Sequence, residues 1–192
     1  MVHSICGLIE SRHPAPIQQL RYPLQTIRLI PVEAIRTNRK EIEVEISVRP
    51  ATAADMGPVA SLFDQYRQFY GQVSNPGLAR EFIGARMQEG SSLILVAADS
   101  TGNLLGFTQL YPLFDSVGAT KSYVLYDLFV SPDARRLGVA RKLMVAAVSV
   151  AKGLGAGRIE LQTAKDNIPA QRLYEALGWA RDNDFYIYAI TP

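Results

Sequence analysis

The run Tyr123-Val124-Leu125-Tyr126-Asp127-Leu128-Phe129-Val130 is apolar at every position except Asp127. It restricts the possible folds more than any other stretch, because a strand apolar on both sides of its pleat must be covered on both faces. Ser131-Pro132-Asp133 closes the run, and a long helix follows with Ala140, Leu143, Met144, Ala147, Ala151 and Leu154 on one face. A buried strand feeding a helix implies a layered α/β domain. The strand is expected at the centre of its sheet.

The flanking sequence fills out that architecture. Ile46-Ser47-Val48-Arg49 alternates like an edge strand, and Thr52-Ala53-Ala54-Asp55 is a capping-box signal. The helix it opens carries Val59, Leu62, Phe63, Tyr66, Phe69 and Tyr70 at helical spacing. A second helix is predicted from Leu78 to Gln88, with Leu78, Phe82 and Ile83 facing inward. Ser92 to Ala98 reads as a strand, Asp99 to Asn103 as a turn, Leu104 to Tyr111 as the hairpin partner, and Pro112 to Thr120 as a loop. After the long helix come a strand from Arg158 to Thr163, a short helix from Pro169 to Leu177 and a last strand from Phe185 to Ile190.

Residues 1–45 hold four of the eleven prolines (Pro14, Pro16, Pro23, Pro31) and no sustained helical period. They read as an N-terminal arm or extension to a domain over residues 46–192. Three accounts of the arm stand equally: a disordered leader, an arm packed on a partner subunit, or translated sequence upstream of the true start.

With 48% hydrophobic and 20% charged residues, 192 positions suffice for one ordinary core. A net charge of +2 gives no reason to expect a nucleic-acid partner. The single cysteine, Cys6, permits no internal disulfide and no Cys cluster for a metal, which suits a reducing, cytoplasmic setting. Apolar runs fall well short of a membrane span, and no signal peptide is expected.

Chemistry concentrates in two segments. Arg135-x-x-Gly138-x-Ala140 places a glycine and a small residue where a strand turns into a helix, and the first-turn amides there are unpaired donors suited to phosphate. Arg135, Arg136, Arg141 and Lys142 add positive charge. The run Gly153-Leu154-Gly155-Ala156-Gly157 ends a helix and precedes a strand, the reverse of a dinucleotide-binding fingerprint, and reads as a helix C-cap. The second segment, Asn167 to Trp179, is a short helix with Ala170, Leu173, Tyr174 and Leu177 on one face. From its residues alone, Tyr174 reads first as core packing, as aromatics on an apolar face usually do.

Together the two segments resemble the GNAT superfamily of N-acetyltransferases. The resemblance spans roughly Ile46 to Ile190 and rests on Tyr126-Asp127-Leu128-Phe129-Val130-Ser131-Pro132 before Arg135-x-x-Gly138-x-Ala140, then on Asn167-x-x-Ala170-x-x-Leu173-Tyr174-Glu175-x-x-Gly178-Trp179. It implies the GNAT fold, a mixed and mostly antiparallel central sheet flanked by helices, with splayed central strands and a bulge at Asp127 to Phe129. It implies acetyl-CoA as co-substrate. Backbone groups of Leu128, Phe129 and Val130 would meet the pantetheine arm. The turn Arg135, Arg136, Leu137, Gly138, Val139, Ala140 and Arg141 would hold the pyrophosphate, and Asn167 and Ala170 would contact the cofactor. Tyr174 would protonate the departing thiolate.

Phe107-Thr108-Gln109-Leu110-Tyr111-Pro112, together with Asp127-Leu128-Phe129-Val130, is most similar to the small-amine branch, whose members acetylate polyamines, D-amino acids or histone-like lysines. Similar polyamine enzymes carry Glu-Asp where this chain has Tyr126-Asp127. Asp127 is therefore the candidate base or amine-holding group, with bracing of the neighbouring loop as the alternative. Tyr66, Tyr70 and Tyr111 are candidate pocket walls. The expected activity is acetyl transfer to a small-molecule primary amine by direct attack in a ternary complex, in a homodimer without nucleic-acid or membrane partners. A protein lysine or N-terminal acetyltransferase, and a non-catalytic acyl-CoA sensor, are the alternatives.

Overall fold

The computed structural model describes residues 45–191. All of the expected N-terminal arm except Glu45, Cys6 included, lies outside the described residues. Five strands, β1 (Ser47–Pro50), β2 (Leu93–Ala98), β3 (Leu104–Asp115), β4 (Thr120–Val130) and β5 (Ala156–Leu161), form one sheet in that spatial order. Every neighbouring pair is antiparallel except β4 and β5, which run parallel on either side of a helical crossover. Four helices cover the sheet: α1 (Met56–Phe69), α2 (Pro76–Glu89), α3 (Val139–Gly153) and α4 (Ile168–Ala176). Among the described residues, no helix is long and apolar enough to cross a membrane.

The two-sided burial predicted from the sequence is clearest in β2. Leu95 and Ala97 face one core with Leu143, Met144 and Ala147 of α3. Ile94 and Val96, one residue out of phase, face a second core with Val59, Phe63 and Ile83 of α1 and α2. Each large side chain buried this way contributes about 1.5 to 3 kcal/mol before entropy is counted, and the strand period of two divides it between the layers. The capping-box signal is also realised: the Asp55 carboxylate accepts from the Thr52 amide at 2.7 Å and from Arg49 at 2.7 and 2.9 Å. Bonding to Arg49 holds Asp55 well below the usual carboxylate range.

β4 departs from simple alternation at one place. Gln109 pairs with Asp127, but the next residue of β3, Leu110, pairs with Leu125, so Tyr126 is an extra residue without a partner. Before it, Tyr123 and Leu125 belong to the α3-side core; after it, Leu128 and Val130 pack there, whereas Phe129 lies in the α1/α2 core. The bulge was expected at Asp127 to Phe129 and instead sits one residue earlier. Pairing of β4 with β5 ends at Leu125 and Leu161, so the two strands part where the bulge begins.

Several local expectations require correction. β3 holds the centre of the sheet, and β4 is its inner neighbour. The expected loop from Pro112 to Thr120 is mostly ladder: Pro112 pairs with Tyr123 and Asp115 with Thr120, leaving a tight turn in which the Asp115 side chain accepts from the Val117 and Gly118 amides at 3.1 and 3.0 Å. Leu78 is exposed because the α2 face is set by Ala79 and Ile83, and Leu154 is exposed because α3 has ended. Phe185 to Ile190 is not a strand and is largely exposed, since β5 takes its only ladder from β4 among the described residues. β-propensity alone is too weak to form a strand without a partner.

Gly106 is required where β3 meets β4. A Cβ there would lie 2.5 Å from the Phe129 carbonyl oxygen and 3.2 Å from the Val130 Cα, both backbone atoms that cannot swing aside. Gly106→Ala is expected to lower unfolding stability by about 1 to 3 kcal/mol, read as a shift of the urea midpoint at unchanged slope; an unshifted midpoint contradicts the close approach.

Candidate active site

The bulge at Tyr126 turns Asp127 toward the layer of α1 and α2, where it is buried at the floor of a cavity of about 290 Å³. Aromatic rings form the walls. Phe63 and Phe82 stack with centroids 5.0 Å apart, Tyr66 and Tyr70 meet edge to face at 5.0 Å, and Tyr111 and Tyr126 do so at 5.7 Å. The expected walls Tyr66, Tyr70 and Tyr111 are thus brought together with Asp127. Phe63 and Phe82 were placed only in the helix cores. Tyr126 was read as part of a buried strand, whereas it is exposed at the cavity rim.

Burial of Asp127 pushes its carboxyl up to about 6, against the opposing pull of the Tyr66 hydroxyl that faces it. Tyr66 in turn is raised well above the ordinary phenol range, by burial first and by the Asp127 charge second. Tyr111 moves the same way for the same two reasons. Across the ladder from Asp127 stands Gln109, fully buried, whose amide nitrogen donates to the Tyr111 hydroxyl while its oxygen has no partner. Sequence reasoning did not single out Gln109. The available signal was a polar residue in an apolar strand, Phe107-Thr108-Gln109-Leu110.

The turn that the motif marks as a candidate anion cradle has unusual backbone. After Val130 a 3-10 turn, Pro132–Ala134, leads into residues 135–138, where Arg136 and Gly138 both adopt left-handed backbone, with φ of 64° and 78°. Left-handed residues alternating with others let successive amides point to one side, a geometry that receives anions. No side chain caps α3, and its start carries the positive end of the helix dipole. Val139 is buried in the α3-side core and anchors the helix, leaving Arg135, Arg136, Leu137, Gly138 and Arg141 at the surface. A Cβ on Gly138 would meet nothing within 4 Å, so the space beside the turn is open. Lys142 does not join the cradle, because its ammonium donates to the Ile46 carbonyl at 3.0 Å and ties α3 to the start of β1.

A second groove of about 330 Å³ connects the cradle to α1, lined by Gln65, Gln68, Phe69, Phe129, Pro132 and Arg135. Among the described residues, backbone beyond Leu125 has no strand partner on its β5 side, which leaves Leu128, Phe129 and Val130 facing the gap between the strands. The chain therefore offers an exposed phosphate-type turn, an open groove and an unpaired strand edge in succession, and these fit a nucleotide-bearing thioester.

Tyr174 of α4 is half-buried against the α3-side core, with the Trp179 ring 6.4 Å away. Burial raises its hydroxyl above the ordinary range, the nearby Tyr70 adds to this, and pairing with Thr163 opposes it. Tyr70 also lines the cavity above Asp127, so the acid candidate and the base candidate share a neighbour. The Asn167 side-chain oxygen accepts from the Ala170 amide at 3.4 Å and caps α4. Its primary structural task is thus the helix start, with the amide nitrogen left for other partners.

Comparison with known proteins agrees with this arrangement. The sequence profile of the acetyltransferase (GNAT) family matches residues 59–179. The uncharacterized N-acetyltransferase YhfO of Bacillus subtilis (strain 168) is 41% identical over 146 residues, covering 76% of this chain and 97% of that protein. A crystal structure of a probable acetyltransferase superposes with a TM-score of 0.72 at 36% identity, covering 76% of this chain and 97% of its own. An aminoglycoside N-acetyltransferase AAC(6')-Iy solved in complex with CoA shares the fold at 19% identity, with a TM-score of 0.65 over 77% of this chain and 95% of its own. With the bulged strand, the parted β4 and β5 and the uncapped anion turn in place, the chain belongs to the GNAT family of acetyltransferases and is an acyltransferase whose co-substrate is acetyl-CoA.

Proposed function

We propose that this enzyme acetylates the primary amine of a small molecule by direct attack within a ternary complex. The observation that carries the reading is the lone carboxylate, Asp127, at the floor of an aromatic cavity beside the parted strands. Acetyl-CoA supplies the acyl group as a thioester. The amides of residues 136–141 hold its pyrophosphate, and the strand edge from Leu128 to Val130 receives the pantetheine arm. Asp127 draws in the ammonium form of the acceptor and takes its proton. A carboxyl titrating near 6 is ionised at neutral pH yet more basic than an exposed one. Tyr174, kept protonated by its raised value, gives a proton to the thiolate that leaves as the C–S bond breaks. Two protons leave nitrogen between ammonium and amide, the first to Asp127 before attack and the second from the tetrahedral adduct; one offsets the proton given to sulfur and the other passes to solvent. The acyl carbon moves directly from sulfur to nitrogen, with no covalent enzyme adduct. The small volume between the Phe63, Phe82 and Tyr66 walls supports a small acceptor over a protein tail.

Release of free thiol from acetyl-CoA, measured against a panel of amines, tests the activity; tight CoA binding without turnover on any amine favours a sensor instead. Tyr174→Phe is expected to lower kcat by about 10²-fold or more while acetyl-CoA affinity holds. Unchanged turnover returns Tyr174 to core packing. Gly138→Asp puts a β-branch-free but charged side chain on a left-handed residue beside the phosphates, and is expected to weaken CoA binding by about tenfold or more. Retained affinity contradicts the cradle.

The buried carboxylate also makes a stability prediction. Because the folded-state value of Asp127 lies near 6 and the ordinary one at 3.8, the folded protein binds the proton more tightly. Below about pH 4 both states are protonated and burial of the charge costs nothing. Stability is lost as the pH rises from there through about 6, and no further above it. Asp127→Asn removes this loss, so its advantage over the parent should widen by roughly 2 to 3 kcal/mol between pH 4 and 7 in urea unfolding. A difference that stays constant over that interval contradicts the buried charge.

A further inference from the structure

Resting on the reading of Asp127 as the amine-holding carboxylate, we infer that the acceptor is a compact monoamine with a flat apolar body, and that Arg67 at the cavity wall excludes amines carrying a second positive charge. Charge and shape of the cavity support this independently of the chemistry at the thioester.

Among the described residues, Asp127 is the one carboxylate lining the cavity, and Arg67 lines it too. The other acids nearby are already engaged. Asp64 is buried and accepts from Ser74 at 2.7 Å, the Asn75 amide at 2.8 Å, Gln68 at 3.0 Å and Arg67 itself at 3.3 Å. Glu89 lies outside the cavity lining and pairs with Arg86 at 2.7 Å. The Arg86 guanidinium, lying over the Phe82 ring at 5.2 Å from its centroid, adds a second cation behind that wall. An amine whose first ammonium sits at Asp127 therefore finds no unpaired carboxylate among the described lining residues for a second ammonium, because Arg67 already holds Asp64 and Arg86 holds Glu89. A second ammonium there would be partly dehydrated beside the Arg67 guanidinium and without a counter-ion.

The rings favour a flat apolar body instead. Stacked Phe63 and Phe82, with Tyr66 and Tyr70 edge to face, present aromatic surface on which a planar group gains contact without needing hydrogen bonds. A volume near 290 Å³ is at the small end for ligand sites and suits one ring joined to one amine through a short chain.

The test uses the full chain with saturating acetyl-CoA, 2-phenylethylamine and spermidine as probes, thiol release as the first readout and calorimetric binding in the presence of CoA as the second. The expected kcat/KM for 2-phenylethylamine exceeds that for spermidine by about tenfold or more. Arg67→Gln narrows that ratio by admitting spermidine, and Arg67→Lys, which keeps the charge, restores it; a ratio that moves equally in both variants reflects damage to the Asp64 network and overturns the role of Arg67. Spermidine turned over as well as 2-phenylethylamine overturns the inference while leaving amine acetylation intact. No turnover on any amine overturns the acetylation reading alone if calorimetry still shows 2-phenylethylamine binding over spermidine. Binding of neither, or of spermidine in preference, overturns the inference.

Discussion

One extra residue in β4 determines where everything else in the site can lie. Side chains on a strand alternate with a period of two, so a single unpaired residue exchanges the faces of all that follow. Without Tyr126 as that extra residue, Asp127 would share a face with Tyr123 and Leu125 and be driven into the aliphatic core of α3. With it, Asp127 and Phe129 turn to the aromatic layer, and Leu128 and Val130 continue the α3-side core. The same residue marks where β5 stops pairing. A change of register and a parting of strands are one event here, so the carboxylate and the open strand edge are created at the same point of the chain.

The two charged halves of the site meet opposite electrostatic requirements by opposite means. The cradle is at the surface, and its donors are backbone amides held by left-handed turns and an uncapped helix start. Such dipoles are fixed by geometry and need no buried charge. Asp127 is deep and costs stability whenever it is ionised. Its backbone is secured by the Thr108 hydroxyl, which donates to the Asp127 carbonyl at 2.8 Å, and its surroundings are ordered by Gln109 and Tyr111. An aspartate bracing a loop would show bonds from that loop to its carboxylate, as Asp64 and Asp115 do. Asp127 has the Tyr66 hydroxyl instead.

Much of this was legible in the sequence, and the limits have a common cause. The apolar run of β4, the stripe of α3 and the turn from Arg135 to Ala140 are local patterns, and each is found where the period and the glycine placed it. Family resemblance supplied the splayed strands and the cofactor. What could not be read depends on partners distant in sequence. The bulge position is decided by pairing with β3, since nothing in Leu125-Tyr126-Asp127 says which residue will be left out. Pro112 to Asp115 has the composition of a loop but is held in the ladder by residues 120–123. Phe185 to Ile190 has the composition of a strand and no ladder. Phe63 and Phe82 are on inward faces, as their spacing says, but spacing does not reveal that the interior there is hollow.

The arrangement also places the proposed donor and acceptor residues on one continuous segment. From Tyr126 to Arg141 the chain runs without a flexible interruption through the bulge, the strand end, a 3-10 turn, the cradle and the first turn of α3. Both ends are pinned, by the close approach of Gly106 to Phe129 at the strand and by buried Val139 at the helix. Loss of the bulge would bury the wrong faces of the strand from Asp127 onward. Register in this strand is thus the requirement on which the position of Asp127 and the open strand edge both depend.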